Sequence, residues 1–265
     1  MSKESVEGII LVLSCQKHFN SRLKEFKLPK SLYSGWKVIY VIGDLFLDVN
    51  YRLENNILVI KCEDSYIHLL KKFVLSIKYL NEIYEIKQGI LRSGDDLIFN
   101  ESNLVTFLET SNKPNFYGCS PRGVSVIKPK LDHLKITRDD YFMIYYYLQH
   151  QEDFENPQHN LKGVDIVKYK KRPQIDVGPA GVLYYISNKS CKILVDHMEK
   201  INFDIFHFDE FTQSYPYTIE DCAVSFILYF NQVDFIHSNN LFSCGVNNSI
   251  NNFQNVIAIH TNKYK

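Results

Sequence analysis

Residues 86–96 read Ile86-Lys87-Gln88-Gly89-Ile90-Leu91-Arg92-Ser93-Gly94-Asp95-Asp96. A mostly apolar run stops on a turn residue and two adjacent carboxylates. Short apolar runs bounded by turn signals read as buried strands. Open α/β sheets bind their ligands at the carboxyl ends of such strands. Neighbouring aspartates repel one another unless a cation or hydrogen-bond donors compensate them. The stretch therefore marks a central strand and a candidate site at its end.

The same signature recurs to either side. Residues 9–14 form an apolar opening strand, 37–42 a second one ended by Gly43-Asp44, and 56–61 a third. Residues 19–26 read as a short helix. Asp64-Ser65 opens a long amphipathic helix, with Leu69, Leu70, Phe73, Val74, Ile77 and Leu80 at helical spacing and Asp64 or Ser65 suited to its N-cap. Further on, 115–120, 182–186, 233–237 and 256–260 read as strands, and 189–200 and 219–229 as helices. Residues 121–170 read as irregular and polar around an aromatic segment, Tyr141–Leu148. Strands alternating with amphipathic helices predict an α/β class. The expectation is one domain over 1–265, with a ligand-binding half near 1–120 and a more mixed half over 121–265.

Composition narrows the field. With 265 residues, 45% of them hydrophobic, the chain can bury a large core. Thirty basic residues balance thirty acidic ones, so no basic surplus points to nucleic acid. The short run Lys168-Tyr169-Lys170-Lys171-Arg172 reads as a solvated strand edge or loop. The apolar run at 9–13 is too short for a signal-peptide core or a membrane span, and no other stretch reaches the roughly 20 residues a span needs. A soluble, cytoplasmic protein is expected. The abundance of Asn, Ile and Lys fits an A/T-rich source such as a virus, with the protein in the host cytoplasm. Cysteines at 15, 62, 119, 191, 222 and 244 form no C-x-x-C pair. They are expected to be reduced and mostly buried.

Four constellations carry candidate chemistry, each with a plainer reading. Gly94-Asp95-Asp96 can be a turn. It can also hold a hard divalent cation, since Mg²⁺ and Mn²⁺ take carboxylate and phosphate oxygens. Glu220-Asp221 can simply open a helix whose dipole favours anions, or Asp221 can act as a general base on a hydroxyl. His260 closes the strand 256–260 and can be an ordinary strand-end histidine or a metal ligand, with His237 in reserve. Gly178-Pro179-Ala180-Gly181 can be a turn or a place where backbone approaches a ligand closely.

The order of these motifs resembles the β-1,3-galactosyltransferase and N-acetylglucosaminyltransferase family, including its Fringe relatives. The run 9–14 with Arg22 and Trp36 looks like that family's opening strand, arginine and tryptophan. Residues 38–43 resemble its second strand, and Glu63-Asp64-Ser65-Tyr66 with Leu69, Lys71 and Lys72 its Asp-Ser-Tyr segment. Leu91 to Asn100 is similar to its Lys-x-Asp-Asp-Asp-Val-Phe-Val-Asn, with Gly94 in place of the first aspartate. Gly178 to Ser187 and Ile219-Glu220-Asp221-Cys222 resemble its Gly-rich strand and its Glu-Asp-Val. Residues 121–170 match poorly.

The resemblance implies a GT-A glycosyltransferase fold: a Rossmann-like central mixed sheet flanked by helices, with a nucleotide-sugar half and an acceptor half. It implies an inverting, metal-dependent transfer of galactose, N-acetylglucosamine or glucose from a UDP-sugar to a hydroxyl of a glycan or glycoprotein acceptor. Asp96 and His260 would hold Mn²⁺ or Mg²⁺. Asp95, Asp96, Arg92 and Gly181 would contact the donor, and Asp221 would be the base. A homodimer is an allowed assembly. Two other readings stay open: a non-catalytic nucleotide-sugar or glycan binder that keeps the fold, and an unrelated metal hydrolase built on Asp95 and Asp96.

Overall fold

A computed structural model describes residues 3–25, 35–124, 126–238, 240–242 and 253–260. Phe26 and Cys244 lie outside these. The strands are β1 (Glu4–Leu13), β2 (Trp36–Gly43), β3 (Tyr51–Glu54), β4 (Ile57–Ile60), β5 (Tyr84–Ser93), β6 (Leu97–Phe99), β7 (Phe116–Gly118), β8 (Val126–Ile127), β9 (Thr137–Asp139), β10 (Lys171–Pro173), β11 (Leu183–Ser187), β12 (Phe235–His237) and β13 (Ala258–His260). Nine of them form one mixed sheet in the order β3-β4-β2-β1-β5-β11-β7-β12-β8.

The centre of that sheet is parallel. β1 pairs with β2 and β5, and β2 with β4, all in parallel. β11 then runs antiparallel between β5 and β7. Both halves of the chain thus contribute to one sheet. Parallel strands covered on both faces read as continuous apolar runs, and β1 explains why. Ile9, Leu11 and Leu13 point into one core, with the helices Leu69–Ile83, Asn188–Lys200 and Glu220–Phe230. Ile10 and Val12 point into a second core, with Trp36 and the helix Glu101–Glu109. The result is a mixed α/β fold, a large sheet flanked by helices.

The strand ends are tied by a buried ion pair. The Lys72 ammonium, on the Leu69–Ile83 helix, donates to Asp64 Oδ1 and to the Ser14 carbonyl, each at 2.6 Å. Asp64 also accepts the Gly43 N–H at 2.7 Å and the Gln16 N–H at 2.6 Å. One carboxylate therefore gathers the ends of β1 and β2. Burial alone would push the Lys72 ammonium down; the Asp64 charge outweighs it and holds the group above the usual lysine range.

Several sequence expectations change here. Asp64 does not cap the long helix, which begins at Leu69 after an N-cap His68; Ser65 Oγ instead accepts the His68 N–H at 3.3 Å. β3 was not expected. Asn55 and Asn56, both at positive φ, turn it back against β4. Residues 121–170 hold the helix Phe142–Gln149. The basic run at 168–172 is not simply solvated, because Arg172 is buried. Cys119 is disulfide-bonded, whereas Cys15, Cys62, Cys191 and Cys222 are free thiols. Among the described residues no helix is long and apolar enough to cross a membrane.

Lys72→Met leaves Asp64 buried without its cation. It is expected to destabilise the fold by about 3–5 kcal/mol, read as a lower urea midpoint at unchanged slope.

Candidate functional site

β5 carries its chain out of the core and ends at Ser93. The next residue, Gly94, donates its N–H to the Val182 carbonyl at 3.0 Å, pinning the turn to the start of β11. A side chain at 94 would bring its Cβ to 2.9 Å from Asp96 Oδ1. Glycine is therefore the residue compatible with this placement of the Asp96 carboxylate.

Three residues on, β6 begins and pairs antiparallel with β13, and the register sets His260 opposite Leu97. His260 Nε2 lies 2.8 Å from Asp96 Oδ2. The other ring nitrogen, Nδ1, is buried and has no hydrogen-bond partner. These residues are 164 positions apart in the chain. Their O/N donor set suits a hard or borderline divalent ion, and their separation lets one ion touch both. Among the described residues no group of three or more His, Cys, Asp or Glu could hold a metal. Two protein donors completed by substrate phosphate oxygens is the arrangement Mg²⁺ sites often use.

Asp95 points the other way, into the protein. It is 6% exposed. Its Oδ2 accepts from Ser14 Oγ at 2.6 Å and contacts His18 Nδ1 at 3.1 Å; Oδ1 accepts from Arg22 Nη1 at 3.1 Å. The same guanidinium lies 3.9 Å from Asp96 Oδ2. Burial pushes the Asp95 carboxyl up, but the bonds from His18 and Ser14 and the nearby charges outweigh it and hold it below the usual range. In return the Asp95 hydrogen bond pushes His18 up to about 9. His18 and Arg22 thus set two cations against the Asp95 and Asp96 carboxylates. Sequence reading missed His18. Its only signal was its place a few residues beyond the apolar run that ends at Leu13.

Asp221 reaches the site from the first turn of the Glu220–Phe230 helix. Its Oδ2 accepts the Gly181 N–H at 2.9 Å, and its Oδ1 the Cys222 N–H at 2.8 Å. A Cβ at 181 would meet Asp221 Oδ2 at 3.0 Å, so the missing side chain permits this close approach. Each carboxylate oxygen keeps a lone pair for another donor. Asp221 also lines a cavity of about 170 Å³ with Ser120, Arg122, Asp176, Cys222 and Ser225. A larger cavity, about 460 Å³, lies far from these groups among Lys78, Glu82, Lys189 and Lys192.

Arg92, expected to contact the donor, faces the protein instead. It is 3% exposed and donates to the Gly181 and Val182 carbonyls and, at 3.2 Å, to Glu220 Oε2. Tyr184 Oη donates to the other Glu220 oxygen. Burial pushes the Glu220 carboxyl up while Arg92 opposes it. Glu220 is thus the buried partner that seats Asp221, a role its sequence neighbours do not reveal. His237, the reserve metal candidate, sits on β12, where its Nδ1 accepts the Ser120 N–H at 2.9 Å. It is not brought to Asp96.

Asp96 and Asp221 consequently flank the Gly94–Val182 contact. Tyr66 registers both. The residue as a whole is open to solvent, but partial burial of its hydroxyl end pushes that group above the usual range, and Asp221, Glu220 and Asp96 add to the effect while Arg92 opposes it.

No family model and no curated protein sequence matches the chain. Among solved structures it is similar to the inositol-1-phosphate CTP transferase from T. maritima, at 12% identity over 89% of this chain and 86% of that one. The TM-score of 0.37 is too low to carry an argument about activity.

His18 stabilises the fold when charged. Its folded value lies above its ordinary one, so the contribution is complete below pH 6.5 and is lost as pH rises through about 9. Wild type is expected to lose up to about 2 kcal/mol across that window relative to His18→Gln, measured by urea denaturation at pH 6 and pH 9.5.

Proposed function

We propose that this protein is an inverting, metal-dependent glycosyltransferase of GT-A type that moves a hexose or N-acetylhexosamine from a UDP-sugar to an acceptor hydroxyl. The observation that carries the reading is the arrangement of two carboxylates from distant segments. Asp96 stands beside His260, and Asp221 stands across the Gly94–Val182 contact, lining a small cavity.

Sugar transfer from a nucleotide diphosphate makes two demands. Negative charge grows on the departing diphosphate, and a proton must leave the attacking hydroxyl. Asp96 and His260 would hold a divalent cation, which when bound neutralises the leaving group. His18 and Arg22 pair with the neighbouring Asp95, and Arg22 also comes within 3.9 Å of Asp96 Oδ2, so their positive charge would add to the field at the anion. Asp221 accepts the proton of the acceptor hydroxyl. The Gly181 and Cys222 N–H groups hold the carboxylate in one orientation without filling all its lone pairs. Arg122 and Asp176, paired with each other at 3.2 Å on the lining of the same cavity, would offer hydrogen bonds to the hydroxyls of an incoming sugar. Attack from the Asp221 side opposite the leaving group inverts the anomeric centre.

Asp221→Asn is expected to keep UDP binding and lower kcat by about 10²- to 10⁴-fold, measured as UDP release with and without acceptor. Unchanged turnover removes Asp221 from the role. Asp96→Ala is expected to abolish Mn²⁺-dependent UDP binding in calorimetry; equal affinity in both proteins removes Asp96 and His260 as the metal pair. A thermal-shift screen of UDP-galactose, UDP-N-acetylglucosamine and UDP-glucose, with and without Mn²⁺, identifies the donor. Stabilisation by UDP-sugar without donor hydrolysis or transfer would mark a binder.

A further inference from the structure

The aromatic segment Tyr141–Leu148 supplies none of the charged groups described above, yet it braces a ring beside them. Phe142 and Tyr146, one turn apart on their helix, pack with Tyr66 at centroid distances of 5.8 Å each, and Tyr146 lies nearly parallel to it at 22°. Tyr146 is itself fixed, because its hydroxyl donates to Asp153. The Tyr66 carbonyl accepts the Leu69 N–H at 3.2 Å, anchoring the residue at the head of the Leu69–Ile83 helix. Despite this bracing Tyr66 is 56% exposed. The ring is open to solvent, backed by two others, and carried two residues beyond Asp64, whose partner Lys72 binds the Ser14 carbonyl while the Ser14 hydroxyl binds Asp95; it is a wall of the site beside Asp96 rather than part of the core.

We propose that the Tyr66 ring is a stacking platform for a pyranose ring held between Asp96 and Asp221. The inference rests on the sugar-transfer reading. With the diphosphate at Asp96 and His260 and the attacking hydroxyl at Asp221, the group that must lie between them is a sugar. A pyranose is amphipathic. Its C–H face suits a rigid aromatic surface, while its rim of hydroxyls suits the surrounding carboxylates. A braced tyrosine offers that surface at little cost in conformational freedom. The ring bound is either the transferred hexose or the acceptor hexose, and the two are separable by experiment.

The test uses the full chain with Mn²⁺. Calorimetry compares UDP with UDP-galactose, UDP-N-acetylglucosamine and UDP-glucose. Saturation-transfer NMR titrates methyl β-galactoside and methyl β-N-acetylglucosaminide in the presence of UDP. Tyr66→Ala is expected to leave UDP affinity within about twofold and weaken one sugar ligand by about tenfold. Weakening confined to the UDP-sugars assigns the donor ring, and weakening confined to the methyl glycosides the acceptor ring. Tyr66→Phe, which keeps the ring, is expected to match wild type. Unchanged sugar affinities in Tyr66→Ala overturn the platform, as does a loss in Tyr66→Phe equal to that in Tyr66→Ala. Melting temperatures check that both variants are folded. Failure of the wild type to bind UDP or any UDP-sugar would instead sink the transferase reading. The methyl glycosides, titrated without UDP, then decide the platform: Tyr66-dependent binding upholds it, and no such binding overturns it.

Discussion

Arg92 and Glu220 form a buried ion pair that fixes the geometry of everything above it. Both are nearly inaccessible, and an unpaired charge in such a place would be costly. The pair joins the end of β5 to the start of the Glu220–Phe230 helix. Arg92 also grips the Gly181 and Val182 carbonyls, so the segment entering β11 is held too. The residues that follow Arg92 and Glu220 are the candidate site: Asp95 and Asp96 on one side, Asp221 on the other. A buried charge pair sets the position, and of its neighbours Asp96 and Asp221 stay partly accessible.

The same device works at the other strand ends. Lys72 and Asp64 hold the termini of β1 and β2, and the loop that follows Asp64 presents Tyr66. Two buried pairs thus hold the segments that carry these groups. Asp95, Asp96 and Asp221 gather negative charge at these strand ends. Arg22 and His18 offset part of that charge. Under the proposed transfer, the rest would be offset by a bound cation.

Much of this was legible in one dimension because it follows from burial. Strands covered on both faces must be apolar throughout, so β1, β2 and β5 announced themselves, and Gly94-Asp95-Asp96 marked the end of β5. Other features failed to show because their meaning lies in partners distant in sequence. Asp64 looks like a helix cap from its neighbours, but its donors come from Gln16, Gly43 and Lys72. Arg172 belongs to a charge run of the kind that is usually solvated, yet it is buried. Glu220 and Asp221 are adjacent acids with opposite fates, one sealed against Arg92 and one lining a cavity. The β3–β4 hairpin did leave a trace in Asn55-Asn56, residues that tolerate the left-handed backbone a tight turn needs.

By itself the sequence determined the α/β class, the central strands and the residue types able to carry chemistry. Hydrophobic periodicity and turn chemistry are local properties, and the chain displays them directly. Only the tertiary structure decided which of those residues meet. The β6–β13 register brings His260 to Asp96, a glycine opening admits Asp221 to residue 181, and a helix from the poorly matching middle segment braces Tyr66. Long-range juxtaposition depends on strand order and packing, which no local pattern encodes.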